Sequence, residues 1–164
     1  MWCVIYAGDK NEQKTKAFVS HLLQGNIPAR CFSLTRNRLY KNGGVWHTVN
    51  ERFLPGYVFI ETDEPEMVYK KLEETSKSLL FSDSRKVSVM DSDESALLEL
   101  ITDSSGTVGL SDVSIGEDKK VTYLSGPLAK VSERVKKVNL HNRFAEIDMN
   151  FSGRRETLRL GIRF

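Results

Sequence analysis

The chain is organised around one decamer, Arg52-Phe53-Leu54-Pro55-Gly56-Tyr57-Val58-Phe59-Ile60-Glu61. A Pro-Gly turn precedes a β-rich run in which Tyr57 and Phe59 share one face and Val58 and Ile60 share the other. Because both faces are apolar, the pattern predicts a central strand that is covered on each side. An ordinary core strand without a binding role is the alternative interpretation of the same residues.

The segments around this stretch predict alternating strands and helices. Residues 2–7 form a nearly continuous apolar run, which is typical of a buried strand. Asp9 and Glu12 have the spacing of a helix N-cap and its partner. The helix that follows carries an apolar stripe at helical spacing, made of Thr15, Phe18, Val19, Leu22 and Leu23.

Further elements follow on both sides of residues 52–61. Lys41-Asn42-Gly43-Gly44 predicts a hairpin tip or loop after a strand-like segment. Asp63 with Glu66, and Asp91 with Glu94, each predict a helix start, and residues 79–81 and 87–89 predict strands. The order β-α-β-β-α-β-α predicts an α+β sandwich of ferredoxin-like type, an antiparallel sheet with helices, over residues 1–103.

The remainder of the chain reads as β structure. Residues 104–116 are polar and contain glycines, which predicts a linker. In residues 117–164, two runs alternate strictly between apolar and polar residues, 145–151 and 158–164, with a Ser152-Gly153 turn between them. Short strands joined by tight turns predict a small SH3-like β-barrel. Residues 128–138 show helical spacing of apolar residues, and we interpret them as strand and turn.

Composition narrows the class of protein. Hydrophobic residues make up 40% of the chain and charged residues 28%, as in soluble globular proteins. No apolar run reaches the roughly 18–20 residues that a membrane span needs, and the isolated Cys3 and Cys31 favour a reducing cytoplasm. The three histidines lack metal-ligand spacing, and no nucleophile, metalloprotease, phosphate-loop or dinucleotide motif occurs. The sequence therefore predicts a protein that is not an enzyme, with no catalytic residue, metal site or cofactor.

The charges are distributed unevenly although the net charge is only +2. Residues 9–52 carry eight basic and three acidic side chains, and residues 119–164 carry eleven and four, whereas residues 83–118 carry two and nine. Two basic regions separated by an acidic one indicate two surfaces that face polyanions. Surface charge that only keeps the protein in solution is the alternative explanation.

Two groups of basic residues are candidates for contact with nucleic acid. Lys10 and Lys14 share one flank of the first predicted helix. Arg36, Arg38 and Lys41 lie around the predicted hairpin tip, where guanidinium groups suit phosphate oxygens. Near the same tip, an exposed Trp46 would stack on an unpaired base, whereas a buried one would pin the loop to the core.

These features together resemble the NusG family of transcription elongation factors. The strand that begins at Trp2, the helix with Glu12, the LPGYVFI strand and the next helix look like the family's NGN domain. Gly126-Pro127-Leu128 and the run from Val121 to Val138 look like its KOW domain, with Glu133 in a position where the KOW pattern has glycine. Residues 125–128 and 141–145 look closest to the specialised LoaP-type antiterminators.

The resemblance implies a function in binding rather than catalysis. It predicts that the NGN domain binds the clamp helices of the largest subunit of RNA polymerase and promotes processive antitermination. It assigns Phe53, Leu54, Tyr57 and Phe59 to that contact, because large aromatic residues are frequent interface hot spots. By the same analogy, Thr75, Ser76 and Lys77 touch the opposite side of the polymerase cleft.

The resemblance also implies partners for the basic residues. It predicts that Lys10, Lys14, Arg36, Arg38 and Lys41 face nascent RNA, or upstream or non-template DNA, in the recruitment of a monomeric factor. The KOW domain would bind the ribosome, a termination factor or RNA. The alternative function is that of a KOW-type RNA-binding or ribosome-associated protein that does not act on polymerase.

Overall fold

The computed structural model describes residues 1–76 and 87–164, which form a mixed α+β structure. This confirms the predicted α+β class. The chain divides into two compact units, and each unit is built from two segments. Unit 1 comprises Met1–Leu34 and Phe53–Ser95, and unit 2 comprises Thr35–Arg52 and Ala96–Phe164. Within the described residues, no helix has the length and apolar character needed to cross a membrane.

The elements are numbered in chain order. The first half contains β1 (Trp2–Tyr6), α1 (Glu12–Leu23), β2 (Ala29–Phe32), β3 (Thr35–Asn42), β4 (Val45–Arg52), β5 (Tyr57–Thr62) and α2 (Pro65–Ser76). The second half contains β6 (Val87–Val89), α3 (Ser92–Ile101), β7 (Thr107–Val108), β8 (Ser111–Ile115), β9 (Val121–Ser125), α4 (Pro127–Lys130), β10 (Val135–Asn139), β11 (Phe144–Phe151) and β12 (Arg154–Arg163).

Unit 1 is organised around the predicted central strand. Its antiparallel sheet has the strand order β2-β5-β1-β6, so β5 is hydrogen-bonded on both sides. Val58, Phe59 and Ile60 are completely buried. One face of the sheet packs on α1 and α2 through an apolar cluster that includes Cys3, Ile5, Val19, Leu23, Ile60, Val68 and Leu72. The prediction of a strand covered on both faces is confirmed.

The starts of α1 and α3 differ in how they are capped. In α3, the backbone N–H of Asp93 donates to Oδ1 of Asp91 at 2.8 Å, and the N–H of Asp91 donates to Oε2 of Glu94 at 3.3 Å, as the spacing predicted. The capping pair predicted for α1 is wrong. That helix starts after Asn11 without a side-chain cap, and the Glu12 carboxylate accepts a hydrogen bond from the Gly56 N–H instead.

Unit 2 contains two sheets. The hairpin of β3 and β4 forms a three-stranded sheet in the order β4-β3-β7, and the other strands form a five-stranded sheet in the order β10-β11-β12-β8-β9. The alternating runs near residues 145–151 and 158–164 are strands β11 and β12, and Ser152-Gly153 is the turn between them. Residues 128–138 contain α4, a short 3-10 turn and β10.

The segment 104–116 differs from its predicted role as a linker. It contains β7 and β8, and β7 pairs with β3 through Thr107 and Thr35, whose hydroxyl oxygens lie 2.9 Å apart. Residues 35–52 belong to unit 2, whereas the sequence analysis predicted that they lie within a domain of residues 1–103. The polar composition of 104–116 indicated a linker because local composition carries no information on the distant strands with which this segment pairs.

A candidate nucleic-acid interface

The hairpin of β3 and β4 supplies much of the candidate site in unit 2. Its two-residue turn, Gly43-Gly44, has φ values of +58° and +80°, which match the type I′ turn that glycine favours. The register pairs Arg36 with Glu51 and Arg38 with Val49. Because side chains alternate along a strand, Arg36, Arg38 and Tyr40 lie on one face of the hairpin.

A cleft of about 600 Å³ lies between this hairpin and strands β11 and β12 of the same unit. Gly161 of β12 permits the close approach, since a Cβ atom there would lie 2.7 Å from the carbonyl oxygen of Asn37. The residues that line the cleft are mainly basic and aromatic: Arg36, Arg38, Lys41 and Arg159, with Tyr40, Trp46, His141 and Phe144. The cleft therefore offers cations and ring surfaces to one ligand.

Glu51 neutralises part of this charge. Its Oε1 accepts hydrogen bonds from Nε of Arg36 at 2.9 Å and from Nε of Arg38 at 3.0 Å. Nη2 of Arg36 lies 2.8 Å from the same oxygen. On the opposite wall, Nε of Arg159 donates to Glu146 at 3.0 Å. Basic side chains still outnumber these two carboxylates, so the cleft keeps a positive potential.

The aromatic residues of the cleft have different roles. Trp46 is half-buried, and the guanidinium of Arg143 lies 4.3 Å from its ring centre and 4.3 Å from that of Phe164. Of the two interpretations of Trp46, the structure favours a residue that holds the hairpin in place. Tyr40 packs against His47 with a distance of 5.7 Å between ring centres, and the 39% of its surface that is exposed can stack on a base.

The predicted nucleic-acid residues fall into two groups. The structure brings Arg36, Arg38 and Lys41 together around the cleft. Lys10 and Lys14 are exposed in unit 1, before and within α1. Sequence reasoning missed Arg159, because its place in the cleft depends on the pairing of β11 with β12 and not on any local motif. It also missed Arg143, whose contacts with Trp46 and Phe164 join residues that are distant in the sequence.

Unit 1 carries the residues that the resemblance assigned to polymerase binding. On the sheet face opposite the helices, the rings of Trp2, Phe32 and Phe59 pack at centroid distances of 5.0–5.9 Å. Phe59 is fully buried and Phe53 is 3% exposed. Both rings are therefore part of the core in this structure, and the polymerase contact assigned to them stays a prediction.

Tyr57 is the accessible aromatic residue of that set. It is half-buried, and its ring lies 5.1 Å from that of Tyr6, which is 47% exposed. Tyr6 was missed because it ends an apolar run; only its register opposite Tyr57 places the two rings on one face. Leu54 is half-buried in a left-handed backbone conformation with φ of +52°.

The other predicted polymerase contacts lie at the end of α2. The Thr75 hydroxyl donates to the carbonyl oxygen of Lys71 at 2.8 Å, which is a bond within the helix. Ser76 is the last residue of α2, and Lys77 and the strand predicted at residues 79–81 lie outside the described residues. The polymerase contact that the resemblance assigns to this helix end therefore stays a prediction.

The turn before β5 is held by a buried carboxylate. Glu12 is 6% exposed, and its Oε1 accepts the backbone N–H of Gly56 at 2.7 Å. The N–H of Ala7 donates to the carbonyl oxygen of Gly56 at 2.7 Å. These bonds fix the turn that precedes Tyr57, the first residue of β5, and thereby position the Tyr6–Tyr57 pair.

The described part of the chain contains neither a cluster of metal ligands nor an activated thiol. There, no group of three or more His, Cys, Asp or Glu side chains is arranged to hold a metal ion. Burial raises the pKa of the Cys31 thiol from 9.0 to about 11, and it also raises the pKa of Cys3. Both thiols are therefore protonated near neutral pH and are poor nucleophiles.

Comparison with known proteins adds no assignment, since no protein-family model and no curated protein sequence matches this chain.

Proposed function

We propose that this protein is a NusG-type transcription elongation factor that promotes antitermination and is recruited through a nucleic acid held in the cleft of unit 2. The observation that carries the proposal is the cleft itself, with four basic side chains and several aromatic rings around about 600 Å³. This combination suits an unpaired segment of RNA, because cations contact phosphates while rings stack on bases.

The architecture of unit 1 supports the polymerase part of the proposal. The strand order β2-β5-β1-β6, with α1 and α2 on one face, is that of a ferredoxin-like β-α-β-β-α-β sandwich, as expected for an NGN domain. In this proposal the Tyr6–Tyr57 pair binds the polymerase clamp helices. Exposed aromatic rings offer a large contact area at a low cost in side-chain entropy.

The architecture of unit 2 supports the second domain. Its short strands, joined by tight turns and arranged in the order β10-β11-β12-β8-β9, are compatible with the SH3-like barrel of a KOW domain. In this proposal the hairpin of β3 and β4 extends the nucleic-acid surface of that barrel.

An RNA-binding protein that does not act on polymerase is the second candidate function. The cleft favours it directly, because binding of RNA there requires no further partner. Under this alternative, the Tyr6–Tyr57 pair has no role in transcription.

The test compares the binding of wild-type, Tyr6→Ala/Tyr57→Ala and Tyr69→Ala proteins to bacterial core RNA polymerase and to single-stranded RNA, followed by read-through of an intrinsic terminator. Tyr69 is a matched control, since it is 48% exposed on α2, against 47% for Tyr6. We expect the double variant to lose about tenfold or more in affinity, as for a central aromatic contact, and to lose read-through. We expect the control to behave as wild type.

Three results would count against parts of the proposal. If wild-type protein binds RNA but not polymerase, the RNA-binding alternative replaces it. If the folded double variant binds polymerase as wild type does, the Tyr6–Tyr57 pair is not the contact. If wild-type protein binds neither, both functions fail.

A further inference from the structure

Glu51 is an acidic residue in a cleft that is otherwise suited to anions. Its side chain is 29% exposed, and its carboxylate lies between two arginines of the same hairpin face. A cleft that only attracted polyanions would be stronger without this negative charge. Attraction of an anionic ligand therefore does not explain why a carboxylate lies between these two arginines.

The two arginines, Arg36 and Arg38, differ in the hydrogen bonds that they make. Arg36 directs Nε and Nη2 to Oε1 of Glu51, and its Nη1 donates to the carbonyl oxygen of Arg159 at 2.8 Å. Arg36 thus braces the hairpin against β12. Arg38 donates to Glu51 through Nε at 3.0 Å. Within the described part of the chain, its Nη1 and Nη2 have no hydrogen-bond partner and are left for a ligand.

Among the Hoogsteen edges of the four RNA bases, that of guanine matches the arrangement best. A guanidinium fork held at Nε presents two parallel donors, and guanine offers two acceptors, O6 and N7, at the matching spacing. On that edge adenine presents one acceptor and one donor, cytosine presents a donor, and uracil presents the single acceptor O4. In RNA the base must be unpaired, since side chains cannot read the deep and narrow major groove of an A-form helix.

Resting on the proposed RNA-binding function of the cleft, we propose that Glu51 is a positioning residue that holds Arg38 for bidentate recognition of an unpaired guanine in RNA. Arg36 serves as the brace. Tyr40, two residues along the same face of β3, offers an exposed ring next to the bound base. Glu51 thereby weakens the attraction of the cleft for polyanions and makes the cleft selective for guanine.

The experiment starts from a pool of RNA hairpins with randomised loops, from which the wild-type protein selects a tight-binding sequence. The affinity for this RNA and for poly(U) is then measured for wild type, Glu51→Gln, Glu51→Asp and Asp148→Asn. Asp148→Asn removes the same charge in unit 2 but outside the cleft, where Asp148 pairs with Arg155. Circular dichroism and thermal unfolding establish that each variant is folded.

We expect the ratio of the two affinities to fall about tenfold in Glu51→Gln and in Glu51→Asp, as for the loss of one bidentate base contact. Glu51→Gln should also bind poly(U) more tightly, because a negative charge is gone. Glu51→Asp keeps the charge but is one methylene shorter, so it should lose selectivity without this gain. Asp148→Asn should keep the wild-type ratio.

A change in the RNA provides the second measurement. Replacement of guanosine by 7-deazaguanosine removes the N7 acceptor, and we expect it to weaken binding of the selected RNA about tenfold for wild type and little for Glu51→Asp. If wild type selects an RNA but neither the Glu51 variants nor 7-deazaguanosine changes selectivity, the role of Glu51 and Arg38 is refuted while RNA binding stands. If wild type selects no RNA, the proposed RNA-binding function fails, and this inference fails with it. If single-stranded DNA of the selected sequence binds equally well, recognition is of guanine without preference for RNA.

Discussion

At the scale of single residues, the position of Glu12 shows how a sequence pattern and a structure can differ. The spacing of Asp9 and Glu12 is that of a capping pair, yet the Glu12 carboxylate crosses to the Gly56 amide, 44 positions along the chain. A buried carboxylate needs strong donors, and the N–H of a turn supplies one. The stability of the turn before β5 therefore depends on a residue in α1.

We predict that Glu12→Ala lowers the free energy of unfolding by about 1–3 kcal/mol, because it leaves the buried Gly56 N–H without its acceptor. Glu12→Gln should lose less, since its amide carbonyl can accept the same bond. Urea unfolding followed by fluorescence measures both. Equal stability of wild type and Glu12→Ala would show that water replaces the carboxylate at no cost.

At the scale of elements, the hairpin of β3 and β4 is specified locally and used at long range. Gly43-Gly44 gives the turn type, and the turn sets the register that places Arg36 opposite Glu51. That register brings the side chains of the arginine cluster onto one face. The arrangement of side chains on this wall of the cleft therefore depends on two residues that do not line it.

We predict that Gly43→Val lowers the free energy of unfolding by about 1–2 kcal/mol, because a β-branched residue is strained at a φ of +58°. Gly43→Asn is the matched control. Asparagine tolerates this conformation, so we expect its stability to remain within about 0.5 kcal/mol of wild type. Chemical denaturation compares the two variants. The turn assignment would be wrong if valine and asparagine had the same effect.

At the scale of the whole molecule, the distribution of charge matters more than its sum. A net charge of +2 attracts a polyanion weakly, whereas Arg36, Arg38, Lys41 and Arg159 are concentrated around one cleft. Lys10 and Lys14 of unit 1 stay predicted contacts. Binding through such a cluster releases counterions from the nucleic acid and therefore depends on salt.

We predict that Lys41→Gln reduces the slope of log K against log salt concentration by about one unit for RNA binding, since one phosphate contact is lost. Lys70→Gln, an exposed lysine of α2, should leave the slope as in wild type. Fluorescence anisotropy over a series of salt concentrations measures both. An unchanged slope for Lys41→Gln would mean that Lys41 does not contact phosphate.

Much of the secondary structure was predictable because it depends on neighbours in the chain. The alternation from Tyr57 to Ile60 specifies a strand with two apolar faces, and the spacing of Thr15, Val19 and Leu23 specifies the buried stripe of α1. Likewise, Gly43-Gly44 and Ser152-Gly153 specify tight turns, because few residues adopt a positive φ without strain. Periodicity and turn chemistry are local, so they can be read without knowing the fold.

Tertiary structure alone decided which of these elements meet. The parallel pairing of β3 with β7 and the close approach at Gly161 join residues 35–52 to the C-terminal strands, and this builds the cleft. Packing also buries the ring of Phe59 and leaves the ring of Tyr6 exposed, although both residues belong to apolar strands. These outcomes depend on contacts between distant segments, whose geometry the local pattern of residues does not encode.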